Sequence, residues 1–347
     1  QRQMCIRDRA EIDREKSNPE QAEEETRSLP QEEEAPHTAG TAEERLLAFI
    51  GGKAESALLM DAFNILLEED IFRTNPQALE KLNGWVKARD ASRQPAAMYA
   101  MGILLLEKDD LSGAVKMAEE GLSKYPQSLP VQILSLNTIT VLLDKNRLQD
   151  AERLISKYPG SSPDLVFQQG ALAFLKKDYS LAQKFFREAA RRASETTAEN
   201  ALFNENLAAL NANDASGAAA LIKEASGSSR LRESILFEQA HYAAKRMAPQ
   251  AAELLANFIT LAETPALKTQ ARLDQVEVAL NLNPPDLETV QAILPLLEKE
   301  QLSPEQTMQL ARLNILEAES RQTGVSGRKR RLVPVSYTHL TLPTNSL

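Results

Sequence analysis

Residues 95–126 read PAAMYAMGILLLEKDDLSGAVKMAEEGLSKYP, and residues 163–192 read PDLVFQQGALAFLKKDYSLAQKFFREAARR. In the first stretch Gly102, Ala114 and Pro126 fall twelve residues apart. In the second, Gly170 and Ala182 repeat that step, each 68 residues, or two periods of 34, after its counterpart. Apolar residues in both stretches recur at three- and four-residue steps, the period of an amphipathic α-helix. Each stretch therefore divides into two helices around a polar break, at 108–110 in one and at Lys177-Asp178 in the other. A small residue on each helix allows a close crossing. Proline ends the second helix, because it lacks an amide donor and clashes with the preceding turn.

Outward from these two units the pattern continues in weaker form. Asn206 with Ala218, and Ala240 with Ala252, keep the twelve-residue step. Asp110, Asp178 and Asp214 each precede the small residue of a second helix by four positions, where a carboxylate can accept the orphan amide hydrogens of the incoming helix. Ser-Lys-Tyr-Pro ends a helix at 123–126 and again at 156–159. The unit at 129–162 departs from the others: its second helix, around 151–158, is about one turn short. Between 41 and 321 about sixteen helical segments are expected, with breaks at Gly51-Gly52, Asn75-Pro76, Pro249, Pro265, Pro284-Pro285 and Pro304 among others. No stretch alternates with β-branched enrichment, so no strand is expected. A linear array has no upper size, unlike a single core, and suits a helical region of this length.

A helix pair repeating every 34 residues with these small and aromatic positions resembles the tetratricopeptide repeat. The resemblance rests on the copies at 95–128 and 163–196. In the latter Gly170, Tyr179, Ala182, Phe186 and Ala189 stand where that family has small, aromatic, small, aromatic and small residues. Copies at 199–230 and 233–264 are degraded, and the flanking regions up to 89 and beyond 265 are helical without the signature. The resemblance implies an all-α, right-handed superhelical α-solenoid of antiparallel helix pairs over 41–321. It also implies that Tyr99, Phe167, Phe203 and Phe237, each three residues before the small residue of a first helix, border a groove. These rings lie about 60° around the helix from the crossing point. Phe174 and His241 lie on nearby faces. Such a groove would take an extended or helical peptide with apolar anchors; the competing expectation is that the rings fill the seams between repeats. The family's basic and amide positions for gripping a C-terminal carboxylate hold Tyr99, Ile103, Phe167 and Ala171 here, so that partner is not expected.

The chain ends read differently from its interior. Residues 1–8 (QRQMCIRD) can be coded CAG CGT CAG ATG TGT ATA AGA GAC, and the reverse complement of that DNA translates as VSYTHLTL, which is 335–342. Both ends resemble the adapter of a transposon-based sequencing library, one strand at each end. Residues 1–9 and 335–347 are therefore set apart as non-native. The segment 10–40 holds ten acids against Arg14, Lys16 and Arg27 and almost no large apolar groups, and is expected to be a disordered linker. Residues 322–334, with Arg328, Lys329, Arg330 and Arg331, are expected to form a solvated tail.

Most chemistry is disfavoured by composition. The only cysteine, Cys5, lies in the adapter, which leaves no thiolate, disulfide or cysteine-ligated zinc for the interior. Two interior histidines, His37 and His241, cannot supply a metal cluster. Gly51-Gly52-Lys53 lacks the upstream glycine, the following hydroxyl and the preceding strand of a phosphate loop, so it reads as an inter-helix turn. Trp85, with Leu79, Leu82 and Val86, reads as core. Outside 10–40 the charges nearly balance, giving no reason to expect nucleic acid, and no apolar run approaches a bilayer's width. The leading expectation is a cofactor-free, non-enzymatic scaffold for a protein or peptide ligand. The alternatives are the interaction arm of an enzyme whose catalytic domain lies elsewhere, and an exported envelope factor, which the cysteine-free interior favours. An uninterrupted reading frame fits a bacterial source.

Overall fold

A two-residue turn recurs along the chain and sets the path of its helices. A computed structural model describes residues 40–52, 56–88 and 90–322. Among them lie seventeen α-helices, no strand and one short 3-10 turn at Ala225–Gly227. The expected segments 1–9, 10–39, 323–334 and 335–347, and Lys53, lie outside the described residues. The chain forms two units, one ending at Gly52 and the other beginning at Lys53.

The first unit contributes α1 (Ala42–Gly51). Thr41 opens it with a capping box: its hydroxyl accepts from the Glu44 amide at 3.1 Å, and the Glu44 carboxylate accepts from the Thr41 amide at 3.0 Å. Leu47 and Ile50 are its buried side chains. The helix ends at Gly51, with Gly52 as an extended C-cap whose amide donates to the Phe49 carbonyl.

The second unit begins with α2 (Ser56–Glu68), a single turn α3 (Ile71–Thr74) and α4 (Pro76–Lys87). Phe63, Phe72 and Trp85 cluster here, the indole standing edge-on to Phe63 at 5.6 Å. Helix pairs then follow in order: α5 (Gln94–Glu107) with α6 (Leu111–Lys124), α7 (Leu129–Asp144) with α8 (Leu148–Lys157), and α9 (Pro163–Leu175) with α10 (Tyr179–Arg192). Next come α11 (Glu195–Asn211) with α12 (Ala215–Glu224), and α13 (Ser229–Lys245) with α14 (Ala251–Leu261). The series closes with α15 (Pro265–Asn281), α16 (Leu287–Leu297) and α17 (Pro304–Gln322). The first helices touch one another in sequence from α5 through α7, α9, α11, α13 and α15 to α17, forming one continuous row. Each of them except α17, the last, also packs on the second helix that follows it. This is the all-α solenoid class expected from the 34-residue spacing.

The turn inside each of the five pairs from α5–α6 to α13–α14 is built alike. Asp109, Asn146, Lys177, Asn213 and Met247 take left-handed φ values between 50° and 64°. The amide of the next residue reaches back to a carbonyl five positions earlier, as in Asp110 to Leu105 at 2.9 Å and Asp178 to Ala173 at 2.9 Å. These bonds close a Schellman motif. In three pairs that same next residue is an aspartate whose carboxylate opens the following helix. Asp110 accepts from Gly113, Asp178 from Leu181 and Asp214 from Gly217, at 2.9, 3.1 and 2.9 Å. One residue thus ends a helix with its amide and starts another with its side chain.

The small residues do different jobs in the two best copies. A Cβ at Gly102 would lie 2.3 Å from Leu134 Cδ1, so this glycine makes room for a leucine of the next repeat. A Cβ at Gly170 would lie 2.8 Å from the Phe186 ring, so this one makes room for its own pair. The short second helix is present: α8 has ten residues where α6 and α10 have fourteen.

Candidate binding surface

The row of first helices is tied together by polar side chains that reach from one repeat to the next. Gln168 Nε2 on α9 donates to Thr140 Oγ1 on α7 at 2.8 Å. Gln239 Nε2 on α13 donates to Asn206 Oδ1 on α11 at 2.9 Å. His241 Nδ1 on α13 lies 2.5 Å from Asp274 Oδ2 on α15, and Gln270 on α15 donates to Gln309 on α17 at 3.0 Å. These groups are buried or half-buried, and each bond offsets the cost of taking its members out of water. Gln168 and Asn206 keep one polar atom each without a hydrogen-bond partner, the Gln168 oxygen and the Asn206 nitrogen.

Four of the six aromatic and histidine candidates are placed otherwise than the groove reading expected. Tyr99, Phe167, Phe174 and Phe237 expose only 3%, 0%, 4% and 7% of their surface, too little to touch a partner. Phe167 stands edge-on to Phe186 at 5.3 Å, Phe174 edge-on to Tyr179 at 5.2 Å, and Phe237 lies 5.4 Å from Phe258. These three rings are covered by the second helix of their own pair, α10 or α14, so these ring contacts lie within a pair rather than across the seam to the next repeat. Phe203 is half-buried against the cluster of Leu221, Leu231 and Ile235. His241 is half-buried too, stacked on Phe237 at 5.4 Å. Burial opposes its protonation, but the Asp274 hydrogen bond and charge outweigh that, and its pKa lies above the ordinary imidazole value. Lys245 approaches the same carboxylate at 3.9 Å. These six residues therefore do not form one site.

The surface instead offers a cleft where α7, α8 and α9 meet. It holds about 420 Å3 and is lined by Leu129, Gln132, Ile133 and Leu136 of α7, and by Tyr158, Ser162 and Asp164 at the joint into α9. The spacing 129, 132, 133, 136 puts the four α7 residues on one helical face. Leu129, the first residue of α7, is 62% exposed and so presents apolar surface to solvent at the cleft rim. Tyr158 caps the shortened α8, and Ser162 caps α9 by accepting from Leu165 at 3.2 Å. Burial raises the pKa of Tyr158, partly offset by its bond to Ser162. Burial alone raises that of Asp164. Among the described residues no cation pairs with Asp164, and Gln132 spends its Nε2 on the Pro126 carbonyl at 2.9 Å, which leaves its oxygen free to accept.

A second hollow, about 400 Å3, runs along α10 beside Lys184, Arg187, Glu188, Arg191 and Arg192. Two of its cations are already committed: Arg187 bonds Glu205 and Glu224, and Arg192 bonds Glu188 and Ser161. Among the described residues no group of three or more His, Cys, Asp or Glu could hold a metal, and no helix is long and apolar enough to cross a membrane. The sequence foresaw the short α8 but not the cleft, which needs three segments distant in sequence; the one local signal was an apolar residue, Leu129, at a helix start. Comparison with protein-family models, with curated proteins and with solved structures finds no match for this chain.

Proposed function

We propose that this chain is a tetratricopeptide-like, non-enzymatic scaffold that holds a segment of a partner protein against its row of first helices. The observation that carries this reading is the cleft between α7 and α9, where exposed Leu129 and half-buried Ile133 give an apolar foothold inside a hollow. Apolar anchors in such clefts supply most of the affinity of a peptide interface. The row of packed helices presents that foothold rigidly, so little ordering cost falls on the scaffold when a ligand docks. No part of this reading needs a cofactor. The near balance of charge outside 10–40 favours a protein segment over nucleic acid.

Site-specific photo-crosslinking tests it. A benzophenone side chain is placed at Leu129, and in a control chain at Lys116, which is exposed on α6. In cells of the source organism the Leu129 position is expected to give a discrete adduct that the Lys116 position does not. Identical adducts from both positions, or none from Leu129, would refute the reading.

A further inference from the structure

Resting on the scaffold reading, we infer that the α7–α9 cleft selects a cationic residue, an arginine flanked by an apolar neighbour, in the segment it holds. The argument begins with Asp164. Its carboxylate sits second in α9, half-buried at the cleft wall, and no described cation or hydrogen-bond donor meets it. The usual surface acid is either solvated or paired. This one has lost part of its water without gaining a partner, as its raised pKa reflects. A ligand that brings a positive charge restores what burial removed, in surroundings where charge attraction is stronger than in open water.

The other polar groups of the cleft narrow the choice. The Gln132 oxygen has no donor, and the hydroxyl oxygens of Tyr158 and Ser162 lie on the same wall. The Gln132 oxygen and the Asp164 carboxylate are thus free acceptors, beside two hydroxyls that bond each other and can accept further. Guanidinium brings five donors in a plane and no acceptor, so it can serve several of them at once. An ammonium offers a compact point charge and fits the same set less completely. Leu129, Ile133 and Leu136 form the apolar side, suited to the arginine stem and to a neighbouring apolar side chain. A neutral or acidic ligand would bury Asp164 further without compensation.

The test uses the full chain and two synthetic probes, acetyl-Gly-Leu-Arg-Leu-Gly-amide and the same peptide with citrulline for arginine. Citrulline keeps the shape and removes the charge. Binding is measured by calorimetry and by chemical-shift changes in labelled protein. The arginine peptide is expected to bind at least ten-fold more tightly than the citrulline peptide. Asp164→Asn should erase that preference by weakening the arginine peptide, and Leu129→Ser should weaken both peptides. Both positions have exposed surface, and thermal melts of the variants confirm that folding is retained. Equal affinity for the two peptides, with both weakened by Leu129→Ser, would overturn the cation preference and leave the scaffold reading standing. No binding of either peptide would also overturn the inference, and the scaffold reading would then rest on the crosslinking result alone.

Discussion

The same substitution, glycine to alanine, is expected to have opposite signs at two helical positions of this chain. Gly84 lies inside α4 with nothing within 4 Å of an added Cβ. There alanine should stabilise the fold by about 0.5–1 kcal/mol, because glycine loses more backbone freedom on folding. At Gly102 the new carbon would lie 2.3, 2.7 and 3.0 Å from Cδ1, Cδ2 and Cγ of Leu134. Ordinary carbon contacts fall at about 3.5–4.0 Å. Because Cγ is crowded along with both methyls, a turn about χ2 does not relieve the overlap, and Leu134 has to change χ1 or retreat as a whole. Leu134 is fully buried, so that retreat compresses the α5–α7 seam. Overpacking of this kind costs about 1–3 kcal/mol. Less the helix gain, Gly102→Ala should destabilise by about 0.5–2 kcal/mol. Urea unfolding followed by circular dichroism reads the sign, and amide exchange in α5 and α7 reads it locally, since arrays can open in parts. On a Leu134→Ala background, which itself costs about 2–4 kcal/mol, the alanine at 102 should become neutral or stabilising. A Gly102→Ala variant that gains stability as Gly84→Ala does, or that shows no coupling to Leu134, would refute the packing argument.

Phe167→Ala should cost about 3–5 kcal/mol in urea unfolding, because the ring is buried against Phe186 of its own pair; a near-neutral effect would return Phe167 to the surface. Met247→Gly should raise stability by about 0.5–1 kcal/mol, since glycine relieves the left-handed backbone at φ 50°, and a lowered midpoint would contradict the turn geometry. His241 has a raised pKa, so its charged pair with Asp274 contributes fully below the unfolded imidazole value and is lost as pH rises through the folded one. The stability gap between wild type and His241→Gln should therefore be about 1–3 kcal/mol near pH 6 and shrink toward pH 9; a gap independent of pH would show that the imidazole is neutral throughout.

The fold was legible because its signals are local and repeated. Gly102, Gly170, Ala114 and Ala182 fix where helices cross, and Asp110, Asp178 and Asp214 fix where they start. The candidate site was not, and the reasons are geometric. An angle of about 60° from the crossing point places Phe167 and Phe237 on a helix but does not say whether a neighbour covers that face; here α10 and α14 bring Phe186 and Phe258 against them. The left-handed turn residues escaped notice because none is glycine. The His241–Asp274 pair and the Gln239–Asn206 bond join residues 33 apart, visible only once the register between repeats is known. The Asp164 cleft depends on three segments at once.

The turns that close one helix and open the next have a bearing on how this chain can be lengthened. In α5–α6, α9–α10 and α11–α12 a single aspartate serves both helices, so a residue inserted on either side of it would carry one helix end out of its reach and leave that end without its hydrogen bond. The joints at 125–128 and 158–162 carry no such double duty. Insertions, tags and length variation among related chains should therefore collect at joints such as 125–128 and 158–162 and avoid the aspartate turns, so that the array grows and varies at alternate corners.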